Sequence, residues 1–463
     1  MSDMRTPTLF CLLLLLAACS SVAPLQPNPD DGLAQMPQQW HNQVSAGGAT
    51  LDEAWWRGFG SAELLALIQQ SQTANYDLVA AVARVSQAQK LAIMAGAPLL
   101  PEVTATAGIG RQRPLGGSNA ATLSTYSTGL AASYEIDFWG KNRVAYQGAL
   151  ARLQQSEFDR DSMRLTITAS VANTWLEVAG LRGRTEIARQ NLANAEQVLV
   201  LVESRYYAGA ANQVELSQQQ GLVAAQHREL AQLQQQQGNA ETILATLLSQ
   251  PLTDRLVGSS RLLDVQVPDA RAGLPVTLLT RRPDIASAEA ALLAANADIE
   301  VARAVMLPSI TLSGGVYGSS EHLRSFLDRP LYSLAAGLTA PIFNAGRLAA
   351  QRDYAIARRE ELLANYRQAI VAALGDVEAA LNRIAGLDQQ ALAQATALEH
   401  AGRAFASAQS RYQAGAETML TLLDTQRTLF SAQDLSLQVQ QQRLQASVDL
   451  YRALGGGWER KIH

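Results

Sequence analysis

Two kinds of hydrophobic pattern alternate along this chain. The first has period two. Tyr126, Thr128, Leu130, Ala132, Tyr134, Ile136 and Phe138 interleave with Ser127, Gly129, Ala131, Ser133, Glu135 and Asp137. One face of an extended strand is therefore apolar and the other small and polar. Val103, Ala105, Ala107 and Ile109 interleave with Thr104, Thr106, Gly108 and Gly110 in the same way. Ile310, Leu312, Gly314 and Val316 form a third such run, and Tyr332, Leu334, Ala336, Leu338, Ala340 and Ile342 a fourth. These runs predict two β-hairpins, over residues 102–139 and 309–343, with polar loops at Pro114–Ala121 and Ser319–Pro330. Strand lengths of about ten to thirteen residues suit tilted strands of an outer-membrane barrel, with those loops extracellular.

The second pattern is helical. Lys141–Tyr206, Arg347–Tyr412, Val214–Leu248 and Leu420–Leu454 contain no proline and are dominated by Ala, Gln, Leu, Glu and Arg. A helix of roughly 60 residues runs about 90 Å, far longer than an ordinary globular helix. Its apolar stripe is thin and rich in alanine, as in Leu192, Ala195, Val198, Leu199 and Val202. Small residues let helices approach closely, which favours a tube of many helices over a two-stranded zipper.

Both patterns occur twice. Ser204-Arg205-Tyr206 recurs as Ser410-Arg411-Tyr412, and Ala208-Gly209-Ala210 as Ala414-Gly415-Ala416, an offset of about 206 residues. Upstream, Leu100-Pro101 recurs as Leu307-Pro308 with one residue more. Two copies with so little length difference are held to the same element lengths. The chain divides into a first repeat at 55–250 and a second at 280–454. The inter-repeat segment 251–279 and the tail 455–463, with the residues before 55, are expected to form a belt around the helices.

Four strands cannot close a membrane barrel, and open sheet edges are not tolerated in lipid. The hairpins must therefore be pooled between copies; closure alone allows two, three or four chains. A soluble sheet with helices is the alternative reading.

The N-terminus favours the membrane. Leu9–Ala18 is an apolar run too short to span a bilayer, behind a short segment with one arginine, and reads as a signal peptide over residues 1–18. It ends in Leu16-Ala17-Ala18-Cys19, which resembles a bacterial lipobox. Cys19 is then the lipidated first residue of an N-terminal extension, 19–54, and the alternative is an ordinary signal peptide with a chance cysteine. Ser20 rather than Asp after the cysteine points to the outer membrane. Cys11 is the only other cysteine, so no disulfide is expected in the mature chain. A net charge of -4 with no Lys/Arg cluster excludes a nucleic-acid role.

Trp55-Trp56 with Phe59, Leu64, Leu65, Leu67 and Ile68, the run Thr280-Arg281-Arg282-Pro283-Asp284-Ile285 with Ala288-Glu289, and Leu307-Pro308-Ser309-Ile310 carry a family resemblance. Across essentially the whole mature chain they resemble TolC-like outer-membrane efflux factors, in the lipoprotein (NodT-type) branch. The resemblance implies a mainly α fold with a membrane β part. It implies a homotrimer forming a 12-stranded outer-membrane β-barrel continued by a 12-helix periplasmic α-barrel. It also implies passive export of drugs or other small solutes, delivered by an inner-membrane resistance-nodulation-division pump and a periplasmic adaptor.

Two sites follow from placing these motifs. Arg205, Ala208, Gly209 and Ala210, and Arg411, Ala414, Gly415 and Ala416, read as tight interhelical turns at the periplasmic tips. In the family an adaptor hairpin docks at such tips. Leu420, Asp424 and Arg427 lie at i, i+4 and i+7 and share one helix face. They match positions that in relatives form an apolar ring, an acidic ring and a linking basic residue, a periplasmic gate. The first repeat has Val214 and Gln218 at the equivalent places, without charge. A plain turn and a surface Asp–Arg pair are the competing readings.

No catalytic constellation is visible. His41, His227, His322, His400 and His463 are scattered without ligand spacing, so neither enzyme activity nor a cofactor beyond the lipid on Cys19 is expected. Two alternatives to the drug or solute duct stay open. One is the outlet of a metal-efflux or protein-secretion system, which sparse Met, Cys and His do not favour. The other is a non-conducting periplasmic scaffold, against which the alternating hairpins speak.

Overall fold

The structure is a computed structural model describing residues 37–41, 54–113, 115, 122–253, 257–258, 261–268, 272–325 and 327–460. The signal peptide, Cys19, most of the extension before residue 54 and most of the first hairpin loop lie outside them.

A 3₁₀ turn, Trp55–Phe59, leads into helix α1 (Ala62–Ala74) and helix α2 (Tyr76–Gly96). Strands β1 (Glu102–Gln112) and β2 (Leu123–Ile136) follow, then helices α3 (Lys141–Tyr207) and α4 (Gln213–Leu247). The second half repeats the order: a short α5 (Leu278–Arg281), α6 (Pro283–Ala304), β3 (Ser309–Ser320), β4 (Leu331–Thr339), α7 (Arg347–Gln413) and α8 (Met419–Ala453). The long helices α3 and α7 have 67 residues each, and α4 and α8 have 35 each.

The long helices start within a residue of their expected positions, for reasons visible at their caps. Gly140 and Gly346 adopt left-handed conformations, φ 75° and 83°, that turn the chain out of the sheet. The Asp137 carboxylate then accepts the Asn142 and Arg143 N–H groups, each at 2.9 Å, satisfying first-turn donors of α3. Asn344 Oδ1 does so for Leu348 of α7 at 3.3 Å.

The strands end earlier than the alternation alone suggests. Strand β2 stops at Ile136, where Asp137 turns to cap α3, and β4 stops at Thr339, just before Pro341. Proline has no N–H to give a ladder. Strand β3 runs on to Ser320, past the start expected for its loop.

All four strands form one antiparallel sheet in the order β1-β2-β3-β4. The hairpins of the two repeats are joined through β2 and β3, from Tyr126 opposite Ser320 to Ile136 opposite Ile310. Below the sheet, α3 packs on α4 and α8, and α8 on α7, so the long helices stand in the order α4-α3-α8-α7. Trp175, Leu176, Val171 and Val178 of α3 are fully buried; here Trp175 donates to Glu63 of α1 and Asn173 to Asp449 of α8.

The Arg-Pro-Asp motif ties this region together. Pro283 opens α6, where its missing N–H costs nothing. The buried Arg282 guanidinium reaches Asp284 at 2.7 Å, Asp376 of α7 at 3.0 Å and the Ala453 carbonyl of α8 at 3.1 Å. Burial alone would lower its pKa, but hydrogen bonds and charge from Asp284 and Asp376 outweigh it and raise the value. Past α8, Trp458 donates to Asp161 of α3 and Arg460 to Glu289 of α6, so the tail grips both repeats.

Candidate functional site

The sheet has two chemically distinct faces. Directly opposed residues share a face, and the register puts Val103, Ala132, Gly314 and Leu334 on one row, and Ala105, Leu130, Val316 and Tyr332 on the next. This face stays apolar across all four strands, and it is exposed: Ile109 is 78 %, Tyr332 82 % and Leu334 83 % accessible. Tyr126 and Tyr332 lie toward the hairpin loops, Tyr134, Phe138 and Trp139 toward the helices. Aromatic girdles flanking an apolar band are what a lipid-facing surface carries. The opposite face has Thr104, Thr106, Ser127, Ser133, Thr311, Ser313 and Ser333. No helix among the described residues is long and apolar enough to cross a membrane.

At the far end of the long helices, both tips are built alike. Ala210 N–H donates to the Arg205 carbonyl and Gly209 N–H to that of Tyr206, while Ala416 donates to Arg411 and Gly415 to Tyr412. This is a Schellman arrangement, with Gly209 at φ 73° and Gly415 at φ 75° supplying the left-handed residue. Asn212 and Thr418 then cap α4 and α8 through the N–H groups of Glu215 and Thr421. Ala208, Gly209, Ala210, Arg411, Ala414, Gly415 and Ala416 are all exposed. Arg411 also pairs with Glu417 at 3.4 Å.

Arg205 is placed differently from its repeat partner. Its guanidinium lies 4.5 Å from the centroid of the Tyr412 ring, and Nη1 donates to the Tyr412 carbonyl at 2.7 Å. The Tyr412 hydroxyl donates to Glu215 at 3.3 Å. Burial raises the Tyr412 pKa, Arg205 opposing and Glu215 adding to the rise. Tyr412 is 1 % exposed and belongs to a core of Val202, Leu216, Phe405, Met419 and Leu422 that welds the two hairpins into one unit. This clamp between tips was not legible from the sequence, where the two Arg-Tyr pairs look equivalent. The asymmetry arises because Glu215 has Thr421 as its counterpart.

Leu420, Asp424 and Arg427 do lie on one exposed face of α8, and Val214 and Gln218 on the corresponding face of α4. Leu420 is 70 % and Val214 63 % accessible. Neighbouring Leu422, Leu423 and Gln426 point the other way into the core. Asp424 and Arg427 make no ion pair with each other within the chain.

The family model for outer membrane efflux proteins matches residues 67–250 and 274–456. The chain belongs to that family. The efflux protein is 48 % identical over 469 residues to the pyoverdine export outer membrane protein OpmQ of Pseudomonas aeruginosa, covering 99 % of this chain and 98 % of that one. It is 30 % identical over 458 residues to the cation efflux system protein CusC of Escherichia coli K12, covering 97 % and 98 %. Among solved structures, the outer-membrane channel OprN superposes with a TM-score of 0.86 at 28 % identity, over 94 % of this chain and 99 % of that one. The open state of the Neisseria gonorrhoeae MtrE channel also gives 0.86, at 29 % identity over 94 % and 98 %. This efflux protein is thus an outer-membrane channel, the exit duct of a tripartite efflux system. Among its described residues no group of three or more His, Cys, Asp or Glu could hold a metal ion.

Proposed function

We propose that three copies of the chain close into a twelve-stranded barrel continued by a twelve-helix tunnel, and that the cargo leaving through it is a siderophore of the pyoverdine type. One observation carries the assembly: each protomer presents a lipid-type sheet face with two unpaired edges, β1 and β4, above a helical layer with two open flanks, α4 and α7. Pairing β4 of one copy with β1 of the next, and α7 with α4, removes every edge at once. Lipid on Cys19 anchors the assembly while the barrel supplies membrane insertion. A periplasmic adaptor docks at the exposed alanine–glycine tips, and the resistance-nodulation-division pump implied by the resemblance reaches the duct through that adaptor.

The cargo reading is supported by the extent of similarity to the pyoverdine export protein, against 30 % for the cation-efflux relative. Mass measurement in detergent should give a trimer; a folded soluble monomer would defeat the closure. Deleting the gene should leave siderophore in the periplasm and deplete it from the medium, with recovery on complementation. Unchanged secretion, with other outlets removed, would sink the cargo assignment.

A further inference from the structure

The polar face of the sheet carries a single aromatic residue, Tyr317. It sits near the loop end of β3, opposite Gly129 of β2 on one side and Leu331, the first residue of β4, on the other. Its ring does not stand up from the wall. A Cβ placed on Gly129 would lie 2.5 Å from Tyr317 Cδ1 and 3.1 Å from Cε1. One placed on Gly315 would lie 2.5 Å from Cζ and 2.6 Å from Cε2. Any side chain at either glycine would occupy the volume of the ring. The two glycines are therefore a recess, and the phenol lies flat in it, spanning β2 and β3. Tyr317 is still 39 % exposed, on the side of the sheet lined by Ser127, Ser313 and Ser319.

We infer that Tyr317 is a specificity-determining residue of the duct: three recessed phenol faces near its outer mouth form a stacking collar for planar aromatic solutes. The inference rests on the closed-barrel reading, since only closure turns the polar face into a lumen. A ring laid flat offers a π-face without narrowing the passage, and stacking is tolerant of the solute's other groups. Its neighbours on this face are Thr106, Ser127, Ser319 and two glycines, with the exposed Leu331 as the apolar side chain beside the ring.

The decisive variant is Tyr317→Leu, which still covers both glycines but removes the π-face. Trimers in planar bilayers would be recorded with flavin mononucleotide on the loop side, residence times being taken from solute-induced current noise. The control is ribitol 5-phosphate, its non-aromatic part. Tyr317→Leu should keep the open-channel conductance while shortening the flavin residence time roughly two- to tenfold, the usual weight of one aromatic contact. Tyr317→Phe should match the wild type, and the control should not distinguish the three proteins. Equal flavin residence times in wild type and Tyr317→Leu would overturn the inference. If neither the wild type nor Arg427→Ala conducts, the barrel reading itself fails.

Discussion

At the residue scale, the two tip glycines answer to backbone geometry alone. A Cβ on Gly209 or Gly415 would meet no atom within 4 Å, yet both carry φ above 70°. Substitution there is limited by left-handed strain and not by space. Gly415→Ala should loosen the tip by about 1–2 kcal/mol, and Gly415→Asn should cost less, because asparagine tolerates this conformation. Hydrogen exchange of residues 414–421 in the two variants would show the order; equal loss would mean the strain is absent. A second expectation concerns Glu417, where the first tip has Ala211. The Thr418 N–H and the Thr421 side chain, with a lesser part from Arg411, lower its pKa from the ordinary 4.5 against an opposing effect of burial. A lowered folded pKa contributes stability above the unfolded value that is lost as pH falls through the folded one. Protection at the second tip should therefore weaken as pH drops below about 4.5, and Glu417→Gln should remove that dependence. If the pH profile of Glu417→Gln matches the wild type, the carboxylate does not hold the turn.

At the scale of elements, the Arg282 hub is where α6, α7 and α8 are fixed to one another. Asp284 and Asp376 keep 44 % and 39 % of their side-chain surface, so the loss on Arg282→Ala is less than for a fully buried pair, about 2–3 kcal/mol. Arg282→Lys should recover only part of it, since one ammonium cannot serve three acceptors as a planar fork does. Thermal unfolding in detergent would read both; an unchanged midpoint for Arg282→Ala would make the motif a helix-start signal only. Much of this level was legible in the sequence. Proline-free runs bounded by Gly140, Gly209, Gly346 and Gly415 placed the long helices within a residue of where they lie. The alternation put the strand residues it named on the face where the register has them, and ran past the strand ends at Phe138, Ala340 and Ile342. It could not reveal that β2 pairs with β3, because period two says which face a residue takes and nothing of its neighbour. The Arg205–Tyr412–Glu215 contact escaped for a similar reason, being a choice between two identical Arg-Tyr pairs.

At the scale of the whole molecule, the threefold assembly would bring three copies of Asp424 around one axis, where like charges repel unless compensated. Asp424 and Arg427 do not pair within a chain, and we propose that they close a resting gate through contacts between subunits. Each is worth about 1.5–3 kcal/mol if shielded from water. Arg427→Ala should then raise conductance and sensitise cells to large antibiotics without lowering trimer content. Cysteines at position 420 should cross-link between subunits and block export until reduced. If Arg427→Ala conducts as the wild type does and those cysteines never join, the constriction lies elsewhere.

The pairing of β2 with β3 also dictates how the molecule can be made. Tyr126 waits for Ser320, and Ile136 for Ile310, partners roughly 170 to 190 residues later in the chain, and closing so large a loop is entropically slow. The helices between them are local and can form early. The first hairpin must therefore survive in water, with its lipid face uncovered, until the second has been synthesised and exported. Even then, β1 and β4 are still sheet edges, which the proposed closure would pair with other copies. In the proposed trimer, barrel formation is a reaction between molecules, and its rate should rise with protein concentration while helix formation does not. Expression of the first repeat alone should then yield helices whose two strands do not insert into membrane.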